Sequence, residues 1–143
     1  MRIKALFVIF VLLSLVGCST NSQPGVALTV NLNEFAYTPS VVTVSAGQEV
    51  TLTIYNEGAI EHDFVIGKIP ASSIQGNMES HDGHMANDMG EMNYDLHISV
   101  PVGESAILKF TPTEAGTYEF LCTVAGHKEA GMTGVLIVEN PQQ

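Results

Sequence analysis

Apolar and polar residues alternate along most of this chain. Leu28-Thr29-Val30-Asn31-Leu32, Val42-Thr43-Val44 and Val50-Thr51-Leu52-Thr53-Ile54-Tyr55 each send their apolar side chains to one face and their polar ones to the other, the period-two signature of a half-buried strand. Phe64-Val65-Ile66, Leu96-His97-Ile98-Ser99-Val100, Ser105 to Phe110, Thr117 to Cys122 and Gly134 to Val138 are further strand segments, set apart by Gly or Pro. Beyond the first residues no stretch carries a helical period, and there is no internal repeat. About seven or eight short strands with turn signals between them predict an all-β sandwich.

Two segments break the alternation. At the start, Arg2 and Lys4 precede an apolar run from Ala5 to Leu13, too short to cross a bilayer as a helix and suited to a signal peptide spanning residues 1–17. It closes on Leu15-Val16-Gly17-Cys18, which resembles the lipobox of bacterial lipoproteins; that resemblance implies cleavage before Cys18 and acylation of its thiol. Residues 18–26 then read as a flexible tether, small, polar and interrupted by Pro24-Gly25, and residues 27–140 as the folded domain. In the middle, residues 72–93 hold Met78, His81, His84, Met85, Met89 and Met92 among Asn, Asp, Glu, Ser and Gly. No aliphatic or aromatic company accompanies these methionines, so core packing does not account for them. The expectation is a mobile, solvated insertion whose thioethers and imidazoles are candidate secondary copper donors.

Composition adds constraints. A chain of 143 residues that is 45% apolar has room for one domain with a real core. Its formal charge is −10; removal of residues 1–17 leaves Lys68, Lys109 and Lys128 against fifteen carboxylates, hence −12. Such a body is no partner for nucleic acid, and its field favours a basic surface such as the positive face of a cytochrome, although solubility accounts for the charge equally well. There are two cysteines. With Cys18 lipidated, Cys122 has no disulfide partner at an exported destination, and metal ligation supplies the reason for a lone thiol there.

Cys122 opens the stretch C-T-V-A-G-H-K-E-A-G-M, which also contains His127 and Met132. Thiolate, imidazole and thioether in one loop favour copper over zinc, calcium or magnesium. Alternation places Tyr118, Phe120 and Cys122 on one face of their strand, with Gly126, Gly131 and Gly134 giving the following chain freedom to turn. His62, in Glu61-His62-Asp63-Phe64, is the candidate fourth donor. His97 alternates with Leu96 and Ile98 and is assigned an outward position.

These segments resemble the cupredoxins, the small blue-copper family of plastocyanin, azurin and rusticyanin, over about residues 27–139. Phe35-Ala36-Tyr37-Thr38-Pro39 with Val42 to Gly47 resembles the opening strands, Glu61-His62-Asp63-Phe64 the first copper-histidine motif, and Gly116 to Cys122 with Gly126-His127 and Gly131-Met132 the closing motif. Four-residue gaps on either side of His127 are closer to rusticyanin-type and sulfocyanin-type loops than to plastocyanin's. No second cysteine of a binuclear centre and no paired His-x-His motif is present, which disfavours those relatives. The resemblance implies a Greek-key sandwich and one type 1 copper held by His62, Cys122, His127 and Met132.

The function expected is that of a one-electron carrier and not an enzyme: four protein donors leave no vacant position for a substrate. Redox proteins such as a cytochrome or an oxidase would be its partners, and a membrane would hold it through Cys18, in the periplasm or on the outer face of the cell membrane. The domain itself is expected to be monomeric. Val124, Ala125, Gly126, Ala130 and Gly131, all small or apolar, mark the surroundings of His127 as the electron port. The alternative is a copper-binding lipoprotein for acquisition, delivery or resistance, using the Met/His-rich insertion.

Overall fold

The computed structural model describes residues 23–79 and 94–141. The signal peptide, Cys18, the first part of the tether and His81, His84, Met85, Met89 and Met92 lie outside the described residues. The described residues form ten strands: β1 Val26–Asn33, β2 Ala36–Thr38, β3 Val41–Ser45, β4 Val50–Asn56, β5 His62–Ile66, β6 Ala71–Glu79, β7 Leu96–Val100, β8 Ser105–Pro112, β9 Gly116–Leu121 and β10 Thr133–Glu139. They form two five-stranded sheets, in the orders β2-β1-β4-β8-β6 and β3-β10-β9-β5-β7. The all-β sandwich expected from the alternation is therefore the fold. Both sheets are mixed, since β1 runs parallel to β4 and β3 parallel to β10, while the other pairs are antiparallel.

Alternation explains which face goes inward. In β8, Ala106, Leu108 and Phe110 are buried, and in β4 so are Val50, Leu52 and Ile54; these meet Phe64, Phe120, Leu136 and Val138 of the other sheet in one core. Burying a large apolar side chain contributes about 1.5–3 kcal/mol, so this interface supplies most of the favourable free energy. β5 departs from alternation, with all five of its residues buried. It lies between β7 and β9, and its outward side is covered by polar neighbours described below.

The expectation of a mobile, solvated insertion at 72–93 is corrected at its start: residues 72–76 are exposed, but they belong to an ordered strand. Residues 71–79 form β6, an edge strand antiparallel to β8, with Gln75 opposite Lys109 and Met78 opposite Ala106 and a register shift between Ser72 and Gln75. The sequence Ser-Ser-Ile-Gln-Gly-Asn-Met-Glu lacks apolar alternation, but an edge strand is held by main-chain bonds to its neighbour, which side-chain patterning does not report. β2 is the other strand that alternation did not list. It is three residues long, antiparallel to β1, with Asn33 opposite Ala36.

Candidate metal centre

β5 and β9 are antiparallel neighbours, with Val65 opposite Leu121 and Ile66 opposite Phe120. This register brings the beginning of β5 beside the end of β9. His62 is the first residue of β5, and Cys122 directly follows β9. Cys122 continues the inward set of Tyr118 and Phe120, as alternation required, and is fully buried.

The chain then turns back on itself. His127 N–H donates to Val124 O at 3.0 Å, Ala130 N–H to Gly126 O at 3.0 Å and Gly131 N–H to Lys128 O at 3.0 Å. Gly126 and Gly131 have φ of 83° and 102°, left-handed conformations that a side chain would strain. Gly134 is different from what was expected. It lies within β10 without a positive φ, and its missing side chain makes room for the ring of Phe120, since a Cβ there would overlap Cε2 and Cζ of that ring.

Met132 closes the loop on both other loop residues. Its N–H donates to His127 O at 2.9 Å, and its carbonyl accepts from Cys122 N–H at 3.2 Å. The residue is fully buried and belongs to the core.

His62, Cys122 and His127 converge. Their ligand atoms all lie within 4.8 Å of one another, and all three residues are buried. Cys122 Sγ is 4.0 Å from His62 Nδ1 and 3.5 Å from His127 Nδ1; the imidazole centroids are 5.0 Å apart with a 50° tilt. Two buried imidazoles aiming the same nitrogen at one buried sulfur form a donor set that suits a copper ion, and Met132 adds a thioether beside it. Burial pushes the Cys122 thiol up, opposed by the amides of Asp63 and Val124. Burial holds His62 below the usual histidine range, helped by His127 and opposed by Glu34 and Asp63. A cation reverses this logic, because it stabilises the thiolate directly.

Around the donors sits a frame that motif reading did not single out. Asp63 N–H points at Cys122 Sγ, 3.4 Å away. The Asp63 carboxylate accepts from Ser99 Oγ at 2.6 Å and from Thr123 Oγ1, and it stands 3.9 Å from His97 Nε2. Burial raises the carboxyl pKa, but the contacts with His97, Ser99 and Thr123 together outweigh it and bring the pKa down to about 2. His97 therefore faces away from the core, as expected, but toward a carboxylate. Tyr37 OH donates to Asp63 O at 2.6 Å.

The two-residue turn between β1 and β2 supplies the remaining neighbours. The Phe35 ring meets His127 edge-on, centroids 5.2 Å apart, and is 48% exposed where His127 is only 6% exposed. Phe35 has φ of 62°, unusual for an aromatic residue. Phe35 belongs to the opening segment but Glu34, directly before it, was not singled out, and nothing in sequence spacing ties either to His62 or His127.

Residues 3–138 match the family model described as the cupredoxin-like domain. The chain belongs to the cupredoxin-like family. Among the relatives of this cupredoxin, the copper-resistant cuproprotein CopI of Rubrivivax gelatinosus is 33% identical over 107 residues, covering 71% of this chain and 59% of that protein. Sulfocyanin of Sulfolobus acidocaldarius is 28% identical over 117 residues, covering 77% of this chain and 58% of the relative. The chain thus spans less than two thirds of either relative's length. The solved structure of auracyanin A, described as a "blue" copper protein of Chloroflexus aurantiacus, superposes with a TM-score of 0.58 at 27% identity, covering 82% of this chain and all of auracyanin A.

Proposed function

We propose that this cupredoxin carries single electrons outside the cytoplasm on one type 1 copper, held by His62 Nδ1, Cys122 Sγ, His127 Nδ1 and the Met132 thioether, and that it is not an enzyme. The observation that carries the reading is the pair of buried Nδ1 atoms facing one buried sulfur. Copper bound there would supply a one-electron couple, and two imidazoles, a thiolate and a thioether held in place by the fold would serve both of its oxidation states. The chain's part is to fix the donors in advance: His62 on a central strand, Cys122 at a strand end, His127 and Met132 on a loop closed by main-chain hydrogen bonds. Burial excludes water from the sulfur.

The port for electron exchange is the rim of His127, where Phe35, Ala125, Gly126, Ala130 and Gly131 are exposed around a nearly covered imidazole. The acidic chain suits a partner with a basic face, such as a cytochrome or an oxidase. Export by the signal peptide and anchoring through acylated Cys18 complete the proposal. Visible and electron paramagnetic resonance spectra of the copper-loaded protein test it. An intense thiolate-to-copper band in the red, lost in Cys122→Ser, is expected; a colourless oxidised protein that has bound copper overturns the assignment. Gln at Ala125 or Ala130 is expected to slow transfer to the native partner without changing the spectrum, and unchanged rates place the port elsewhere.

A second reading, copper handling in acquisition or resistance, is favoured by the similarity to a copper-resistant cuproprotein and by the Met/His-rich segment. Its test is a Cu(I) titration of a chain lacking residues 80–92, a deletion that spares β6, alongside Met78→Ala. Loss of equivalents beyond the coloured site supports handling, and unchanged stoichiometry in both removes it.

A further inference from the structure

A neutral imidazole that offers Nδ1 to a metal carries its hydrogen on Nε2. In His62 that atom is buried and makes no hydrogen bond among the described residues, and a buried donor left unpaired is costly. Glu34 Oε1 stands 3.9 Å from it. A shift of about 1 Å brings that pair to the usual N–H···O length.

Two independent features keep the approach open. Residue 58 is glycine, and a Cβ there would lie 2.6 Å from His62 Nε2 and 2.9 Å from Glu34 Oε1, filling the gap between them. Glu34 is also fixed from the other side, because Oε1 accepts the Ala59 N–H. The turn that carries it places Phe35 against His127 in a left-handed conformation, so one two-residue turn meets both imidazoles.

We propose that Glu34 is the outer partner of His62: it accepts the Nε2 hydrogen, fixes the tautomer that frees Nδ1, and places a negative charge where it favours Cu(II) over Cu(I). This rests on the copper reading above. Glu34 acts through His62 and is a positioning residue, as carboxylates behind metal-bound histidines are elsewhere.

Midpoint potential and pulsed electron paramagnetic resonance of the remote imidazole nitrogens test it in the copper-loaded full chain. Glu34→Gln keeps an oxygen for the Ala59 amide but removes the charge; Glu34→Ala removes both; Glu61→Gln removes an equal charge one residue from His62. In Glu34→Gln the preference for Cu(II) is expected to fall about tenfold, a rise of about 59 mV for one electron, with one of the two remote-nitrogen signals altered. Glu61→Gln is expected to leave both signals as they are and to shift the potential less. A wild-type potential in Glu34→Gln, an equal shift in Glu61→Gln, or unaltered remote nitrogens overturns the proposal. A blue wild type with indifferent Glu34 variants sinks this inference alone, whereas a wild type that takes up no blue copper sinks the copper reading with it.

Discussion

Several single residues here are defined by what a neighbour would otherwise strike. Gly134 gives the Phe120 ring its place, and the carbonyl of Ser40 is 2.7 Å from where a Cβ would stand. Gly134→Ala therefore meets both a core ring and main chain, and overpacking of this kind costs about 1–3 kcal/mol or more; chemical denaturation against wild type reads the loss. Asp63 gives a pH signature. Its folded pKa, near 2, lies below the ordinary aspartate value of 3.8, so its contribution to stability is complete above about pH 4 and lost as pH falls toward 2. Apo-protein melting followed over that range should decline less steeply in Asp63→Asn than in wild type, from a lower starting point. Parallel curves would mean that Ser99, Thr123 and His97 do not favour the charged form.

At the scale of elements, the informative contact is between β2 and β5. Tyr37 reaches across with its hydroxyl on Asp63 O at 2.6 Å and its ring edge-on to Phe120 at 5.0 Å and to Phe64 at 6.0 Å. The three-residue β2 has little ladder of its own, so this side chain does much to hold the β1–β2 turn beside the metal centre. Tyr37→Phe removes the hydrogen bond and keeps the ring, an expected loss of about 0.5–1.5 kcal/mol, while Tyr37→Ala loses the ring as well, about 3–5 kcal/mol. Equal denaturation midpoints for the two variants would show that packing contributes nothing. Alternation found the eight other strands but neither β2 nor β6. β2 is too short for a period, and β6 owes its pairing to the exposed edge of β8, a property of the partner and not of its own residues.

For the molecule as a whole, the metal centre joins parts of the chain far apart in sequence: His62 comes from β5, and Cys122, His127 and Met132 from the segment between β9 and β10. A ligand that binds only the folded state stabilises it by mass action, about 4.1 kcal/mol at a thousandfold excess over its dissociation constant. Copper removal is thus expected to lower the melting temperature without changing far-ultraviolet circular dichroism, and His62→Ala is expected to abolish most of that difference. If apo and holo proteins melt together, the centre is no clamp.

What the residues alone determined was the inward face of most strands, β2 and β6 excepted, and the chemistry of the donors. Alternation is a local property, and thiolate, imidazole and thioether together favour copper whatever the fold. The order Cys122, His127, Met132 was legible for the same reason, since one short loop carries all three. Tertiary structure decided the rest, because it depends on strands paired across long stretches of chain. The β5–β9 register sets His62 beside Cys122, the β1–β2 turn lays Glu34 and Phe35 on the two imidazoles, and a glycine at position 58 proves to be the gap through which a carboxylate faces a buried nitrogen.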